Sequence, residues 1–107
     1  MHRSLGPGLL EKVYEVCLTH EIRKVGLNVQ QQVKLPIVYD NMVFKEYLRL
    51  DLLVEDEIIV EIKSVEILHP VCRAQMISQL KLSGKNLGFL INFNVPLIKN
   101  GIQRIVN

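Results

Sequence analysis

The run Leu48-Arg49-Leu50-Asp51-Leu52-Leu53-Val54-Glu55-Asp56-Glu57-Ile58-Ile59-Val60-Glu61-Ile62-Lys63 decides the reading of this chain. Two apolar halves flank a short acidic break, so the run reads as two strands joined by a turn. Asp51 interrupts the first half, and an isolated Asp is disfavoured in a strand that should be central. In the second half Ile58, Val60 and Ile62 share one face, which sets Glu61 and Lys63 together on the other. Whether Asp51 joins them depends on the turn, because facing residues of an antiparallel pair share a face and their numbers have a constant sum. A two-residue turn at Glu55-Asp56 opposes Asp51 to Val60 and sends Glu61 to the other side. A three-residue turn, Glu55 to Glu57, opposes Asp51 directly to Glu61, with Cβ atoms roughly 4.5–5.5 Å apart. Like charges held that close destabilise a hairpin, and a divalent cation between them turns repulsion into coordination. Lys63 then stands one step along the same face, able to orient a water or offset developing negative charge. The plain alternative is a solvated strand face on which Glu61 and Lys63 pair weakly across water.

Working outward, Val29 to Tyr39 is rich in Val, Gln and Ile, and Asp40-Asn41 supplies turn chemistry before a second strand, Met42 to Val54. With Ile58 to Lys63 this makes a three-stranded antiparallel meander. Upstream, Leu10, Val13, Tyr14, Cys17, Leu18, Ile22 and Val25 recur at helical spacing from Leu9 to Val25, and Gly26 closes the helix. Downstream, Pro70 suits the first turn of a helix running to about Leu82, with Gly84 past its end. Leu87 to Phe93 is a short apolar run following that helix, most simply a buried strand, and a last strand is expected from Gly101 to Val106. The fold class is α/β, a mixed β-sheet with an antiparallel meander flanked by helices.

The chain has 107 residues, of which 49% are hydrophobic and 22% charged, which is the make-up of one ordinary folded domain. Its formal charge is only +2, with no run of like charges, so charge alone does not mark a nucleic-acid binder. No apolar run approaches the roughly 18 residues of a membrane span, and the residues from Met1 to Gly8 hold no apolar signal region. Cys17 and Cys72 read as buried free thiols of a reducing compartment, and a cytoplasmic location is expected. Glu11 lies within roughly 20° of both Leu18 and Ile22 around its helix, so it should point inward or into a cleft, where a carboxylate needs a partner or a cation. Glu15 and Glu21 lack that combination of neighbours.

These residues resemble a known pattern. Asp51 followed by Glu61-Ile62-Lys63 on the next strand is similar to the core motif of the PD-(D/E)XK nuclease superfamily, and Gly8-Leu9-Leu10-Glu11-Lys12-Val13-Tyr14 resembles the signature of its GxxExxY group. The likeness runs from about Leu5 to Val106, through Ala74-Gln75 and Gly88-Phe89-Leu90-Ile91-Asn92-Phe93. It implies a restriction-endonuclease-like core in which Asp51, Glu61 and the Ile62 carbonyl hold Mg²⁺ or Mn²⁺. Lys63 would assist the attacking water, Glu11 would approach the same centre, and Gln75 on the second long helix would face it. Some exonuclease relatives carry Gln-x-x-x-Tyr on that helix, whereas here Gln79 stands at the Tyr position. Members of the group usually begin with a helical segment before the Leu5-Gly6-Pro7-Gly8 turn, and this single domain, residues 1–107, is expected to lack it. The apolar surface around Leu9, Val13 and Val16 would then be open, with a two-fold homodimer as the simplest cover and repacked loops as the alternative.

Competing readings of single residues are weaker. Cys17, His20, His69 and Cys72 supply on paper the ligands of a tetrahedral zinc site, but isolated Cys and His in helices are more often core or surface residues. Gly84-Lys85-Asn86 lacks the phosphate-loop pattern. Arg73, Lys81 and Lys85 could touch a phosphate backbone, although a solvated helix face is the simpler reading. Two functions follow: a metal-dependent nuclease hydrolysing phosphodiester bonds in nucleic acid, or a catalytically inactive module that keeps the fold for nucleic-acid binding or assembly.

Overall fold

A computed structural model describes all residues from Met1 to Asn107. Two turns set the register of the meander. Strand β1 (Val29–Tyr39) meets β2 (Met42–Val54) through Asp40 and Asn41, with φ of 55° and 59°, the left-handed pair of a tight hairpin turn whose twist matches its strands. Strand β3 (Ile58–Lys63) follows the three-residue turn Glu55 to Glu57, closed by the Glu57 N–H donating to the Val54 carbonyl at 3.0 Å. Glu55 and Asp56 are left-handed as well, with φ of 52° and 57°.

A short helix α1 (His2–Leu5) and the long α2 (Glu11–Lys24) precede the sheet, while α3 (Val71–Ser83) carries the chain from β3 to β4 (Leu87–Asn92). A 3₁₀ turn, Ile98–Gly101, leads into β5 (Ile102–Val106). The sheet order is β1-β2-β3-β4-β5, with β3 parallel to β4 and every other pair antiparallel. A parallel pair needs a crossover, and α3 supplies it. Gly101 passes so close to β4 that a Cβ there would lie 2.0 Å from the Asn92 carbonyl oxygen, so only glycine fits.

The core has two halves. Under α2, Tyr14, Val29, Leu52, Val54, Val60, Ile62 and Phe93 pack together. Under α3, Met76 and Leu80 meet Leu50, Leu53, Ile59, Leu90 and Ile105. Strand alternation explains most of this division, since Val60 and Ile62 lie on one side and Ile59 on the other. It breaks at one level of β1 and β2. Leu50 and Leu52 are two residues apart yet belong to opposite halves, and in β1 the side flips between Val29 and Val33. Gln32, with φ of 51°, lies at that break and falls opposite Asp51 in the β1–β2 register.

The expected strands β1, β2 and β3 match the observed ones end to end, and the helices shift by one or two residues. Helix α1 lies just before the Gly6-Pro7-Gly8 turn, where no helical segment was expected, and the 3₁₀ turn had no counterpart in the sequence expectations. Helix α1 is held by His2, whose Nε2 lies 3.0 Å from the Phe93 carbonyl oxygen. No helix is long and apolar enough to cross a membrane.

Candidate active site

The β2–β3 ladder pairs Val54 with Ile58, Leu53 with Ile59 and Leu52 with Val60. Continued one step, the same register sets Asp51 against Glu61, the outcome of the three-residue turn. There the strands part and the side chains take over the work of the ladder. Asp51 Oδ2 accepts a hydrogen bond from the Ile62 N–H at 2.8 Å, and Glu61 Oε1 accepts one from the Asp51 N–H at 3.4 Å. Backbone groups that lose a strand partner at a fork must find another acceptor, and here two carboxylates provide it.

This leaves two acids side by side in a largely enclosed position. Burial, and then the neighbouring Asp51 charge, push the Glu61 carboxyl up to about 8, with the Lys63 ammonium only partly opposing them. The pair accommodates one proton or one cation far better than two bare charges. The oxygens not engaged by backbone N–H groups, Asp51 Oδ1 and Glu61 Oε2, are hard donors of the kind Mg²⁺ and Mn²⁺ take. The Ile62 N–H points toward β2, and the carbonyl of a strand residue points the same way as its N–H, so Ile62 offers a third oxygen at the fork. No group of three or more His, Cys, Asp or Glu side chains converges anywhere in the chain. A cation at Asp51 and Glu61 would therefore retain several waters, which suits Mg²⁺.

The turn before α2 is built onto the end of β3. Tyr14 is fully buried and stacked on Phe93, with ring centroids 4.5 Å apart. Its hydroxyl donates to the Gly6 carbonyl and accepts from the Leu9 N–H at 3.2 Å. Ser64, directly after Lys63, donates its hydroxyl proton to the Leu9 carbonyl. Gly8 adopts φ of 94° within this turn, where a side chain would be strained. The result sets Glu11 in a shallow cavity lined by Ser64 and Asn94.

Glu11, at the first residue of α2, is exposed and lies in the open cleft, the second of the two directions expected for it. One expectation about the helices is corrected here. The buried carboxylate of α2 is Glu15, only 4% exposed. It accepts hydrogen bonds from Lys12 Nζ at 2.9 Å, Gln31 Nε2 at 2.9 Å and Gln32 Nε2 at 2.7 Å. These partners lower its pKa against the opposing effect of burial, the largest single influence on it. Because Gln31 and Gln32 lie where β1 changes phase, Glu15 clamps the strand distortion opposite Asp51. The clue in the sequence was three consecutive glutamines, Gln30 to Gln32, inside a strand.

A family model for the PD-(D/E)XK nuclease superfamily matches residues 1–105. The chain belongs to that superfamily. Neither the comparison with curated proteins nor that with solved structures found a match. Nucleic acid as the substrate class and divalent-metal-dependent phosphodiester chemistry are typical of that superfamily. The five-stranded mixed sheet flanked by helices agrees with its restriction-endonuclease-like core.

On α3, Gln75 is exposed. Met76 and Leu80 direct α3 onto the sheet, and Gln75 is turned about 100° from Met76. One turn on, Gln79 is half-buried, and its Oε1 is buried without a hydrogen-bond donor. Of the cations considered on and after α3, Arg73 donates to Gln103 at 3.3 Å and Lys85 to the Asp56 carbonyl at 2.8 Å. The four residues of the zinc reading do not come together.

Proposed function

We propose that this protein is a metal-dependent nuclease whose centre is Asp51, Glu61 and Lys63. The observation that supports the reading is the fork, where the Asp51 and Glu61 carboxylates stand side by side at the end of a shared ladder with the Lys63 charge nearby. Asp51, Glu61 and the Ile62 carbonyl would hold Mg²⁺ or Mn²⁺, which when bound polarises the phosphoryl oxygen and acidifies water. The Asp51 carboxylate keeps its orientation through the Ile62 N–H. Lys63 orients the attacking water and offsets charge on the phosphorus centre. Glu11, held beside Ser64 by the Tyr14-anchored turn, borders the approach and would contact the outer hydration of the cation. Gln75 enters only if substrate draws it from solvent.

The alternative, a module that binds nucleic acid without cutting it, draws support from Gln79 at the position where exonuclease relatives carry Tyr. Cleavage of labelled single-stranded and duplex oligonucleotides with Mg²⁺ or Mn²⁺ separates the two. Wild-type cleavage abolished in Glu61→Gln supports catalysis at the fork. Oligonucleotide binding without cleavage would leave the binding module, and equal cleavage by the variant would move the chemistry elsewhere.

A further inference from the structure

Beyond the carboxylate fork, β1 and β2 run on as an arm, and its distal half is exposed. The two faces of this arm differ. On one, Val33, Leu35 and Leu48 pack against the α3 half of the core. On the other, Tyr47 and Arg49 stand together by alternation along β2, short of the register shift between Pro36 and Val38. Lys34 faces Arg49 directly across the strands, and Pro36 faces Tyr47.

Like charges directly opposite each other in an antiparallel pair are destabilising. Neither Lys34 nor Arg49 has an acidic partner, since the ion pairs of this chain are Lys12 with Glu15 and Lys24 with Glu21. The nearest acid of the arm strands, Asp51, is engaged by the Ile62 N–H and forms no ion pair with either cation. Instead, the Lys34 ammonium sits 4.8 Å from the centre of the Tyr47 ring, and the two cations together hold the Tyr47 hydroxyl below its usual pKa. Two cations set opposite each other at a cost, one of them over an aromatic ring and neither in an ion pair, form a surface for a polyanion. Arg49 is two residues from Asp51 in the same strand, on the order of 7 Å.

We propose that Lys34 and Arg49, with Tyr47 between them as a platform, form a phosphate-holding face that grips the nucleic-acid backbone next to the cleaved bond. The inference rests on the nuclease reading and extends it to a substrate-binding arm. Lys34 and Arg49 contact phosphates as charge-assisted donors, with Arg able to do so bidentately. Tyr47 keeps Lys34 from folding back onto the strand.

The test is fluorescence anisotropy with labelled single-stranded and duplex DNA and RNA in EDTA, so that nothing is cut, over a range of salt. The double variant Lys34→Gln, Arg49→Gln should bind the preferred form at least tenfold more weakly. Its salt dependence should fall by about two phosphate contacts relative to wild type. Its melting temperature should equal or exceed that of wild type, because a repulsion is removed, so weak binding cannot be ascribed to unfolding. A control, Arg73→Gln with Lys81→Gln on α3, should bind as wild type. Wild-type binding that the arm variant leaves unchanged, or that the α3 control weakens equally, overturns the arm and spares the nuclease reading. Absence of wild-type binding to every oligonucleotide overturns both. Capture on phosphatidylserine vesicles without oligonucleotide binding would assign the face to a lipid surface and also overturn the arm.

Discussion

At the scale of single residues, the chemistry rests on an unfavourable arrangement. Glu61 has a folded-state pKa raised to about 8 from an ordinary 4.5, so the folded protein binds a proton there that the unfolded chain has released. A raised pKa contributes stability that is full below the unfolded value and is lost as pH climbs through the folded one. Metal-free wild type should therefore lose melting temperature relative to Glu61→Gln between about pH 4.5 and 8, and a flat difference across that range would refute the buried pair. Metal must displace the same proton, so Mn²⁺ stabilisation should strengthen over the same window. Asp51→Asn should lose that metal response while keeping an acceptor for the Ile62 N–H. Lys63→Met should leave metal binding intact and lower any cleavage rate by about two orders of magnitude, the scale of one lost electrostatic contact in the transition state. Single-turnover rates check this. Asp51, Glu61 and Lys63 were legible because a charged residue in an apolar strand has few structural uses. The burial of Glu15 was not, because its partners Gln31 and Gln32 come from a strand distant in sequence.

At the scale of elements, the strands were readable because their turns carry unmistakable chemistry, Asp40-Asn41 and Glu55-Asp56-Glu57. The phase break in β1 and β2 was not readable, since it depends on a contact between distant segments. Glu15 makes that contact, and the left-handed Gln32 is what it holds. Glu15→Gln should destabilise the protein by about 1–3 kcal/mol, the cost of a disrupted buried network. It should also loosen Asp51, seen by NMR as faster exchange of the Ile62 amide while the Leu90 and Ile105 amides stay protected. Adding Gln32→Gly, which adopts the left-handed conformation without a clamp, should restore the protection of Ile62. If the Ile62 amide exchanges in Glu15→Gln as it does in wild type, the clamp has no hold on Asp51. Tyr14 acts similarly on the other side, and Tyr14→Phe should free the turn that carries Glu11, at about 1 kcal/mol for a lost hydrogen bond. Denaturant titration measures the loss.

At the scale of the whole molecule, apolar side chains remain at the surface along the outer side of α2 and before it, with Leu10 at 78% and Val16 at 50% exposure. Contiguous apolar surface of this kind usually marks an interface. Sedimentation velocity at micromolar concentration should show a dimer, and Val13→Glu with Val16→Glu should return it to monomer. A clean monomer in the wild type would show that the surface is simply tolerated.

The three-residue turn between β2 and β3 has a consequence for how such a protein can vary through descent. Its residues are exposed, so exchanges at Asp56 among Asp, Asn and Gly, which tolerate its left-handed φ, should cost little. A deletion of a single codon is different. It would remove one acid and leave both halves of the motif untouched, letter for letter, while rotating Asp51 onto the face opposite Glu61. Such a descendant would still be matched to the family by its letters and would have lost the juxtaposition those letters stand for. In this fold the length of an unremarkable turn carries as much chemical information as the acids it separates.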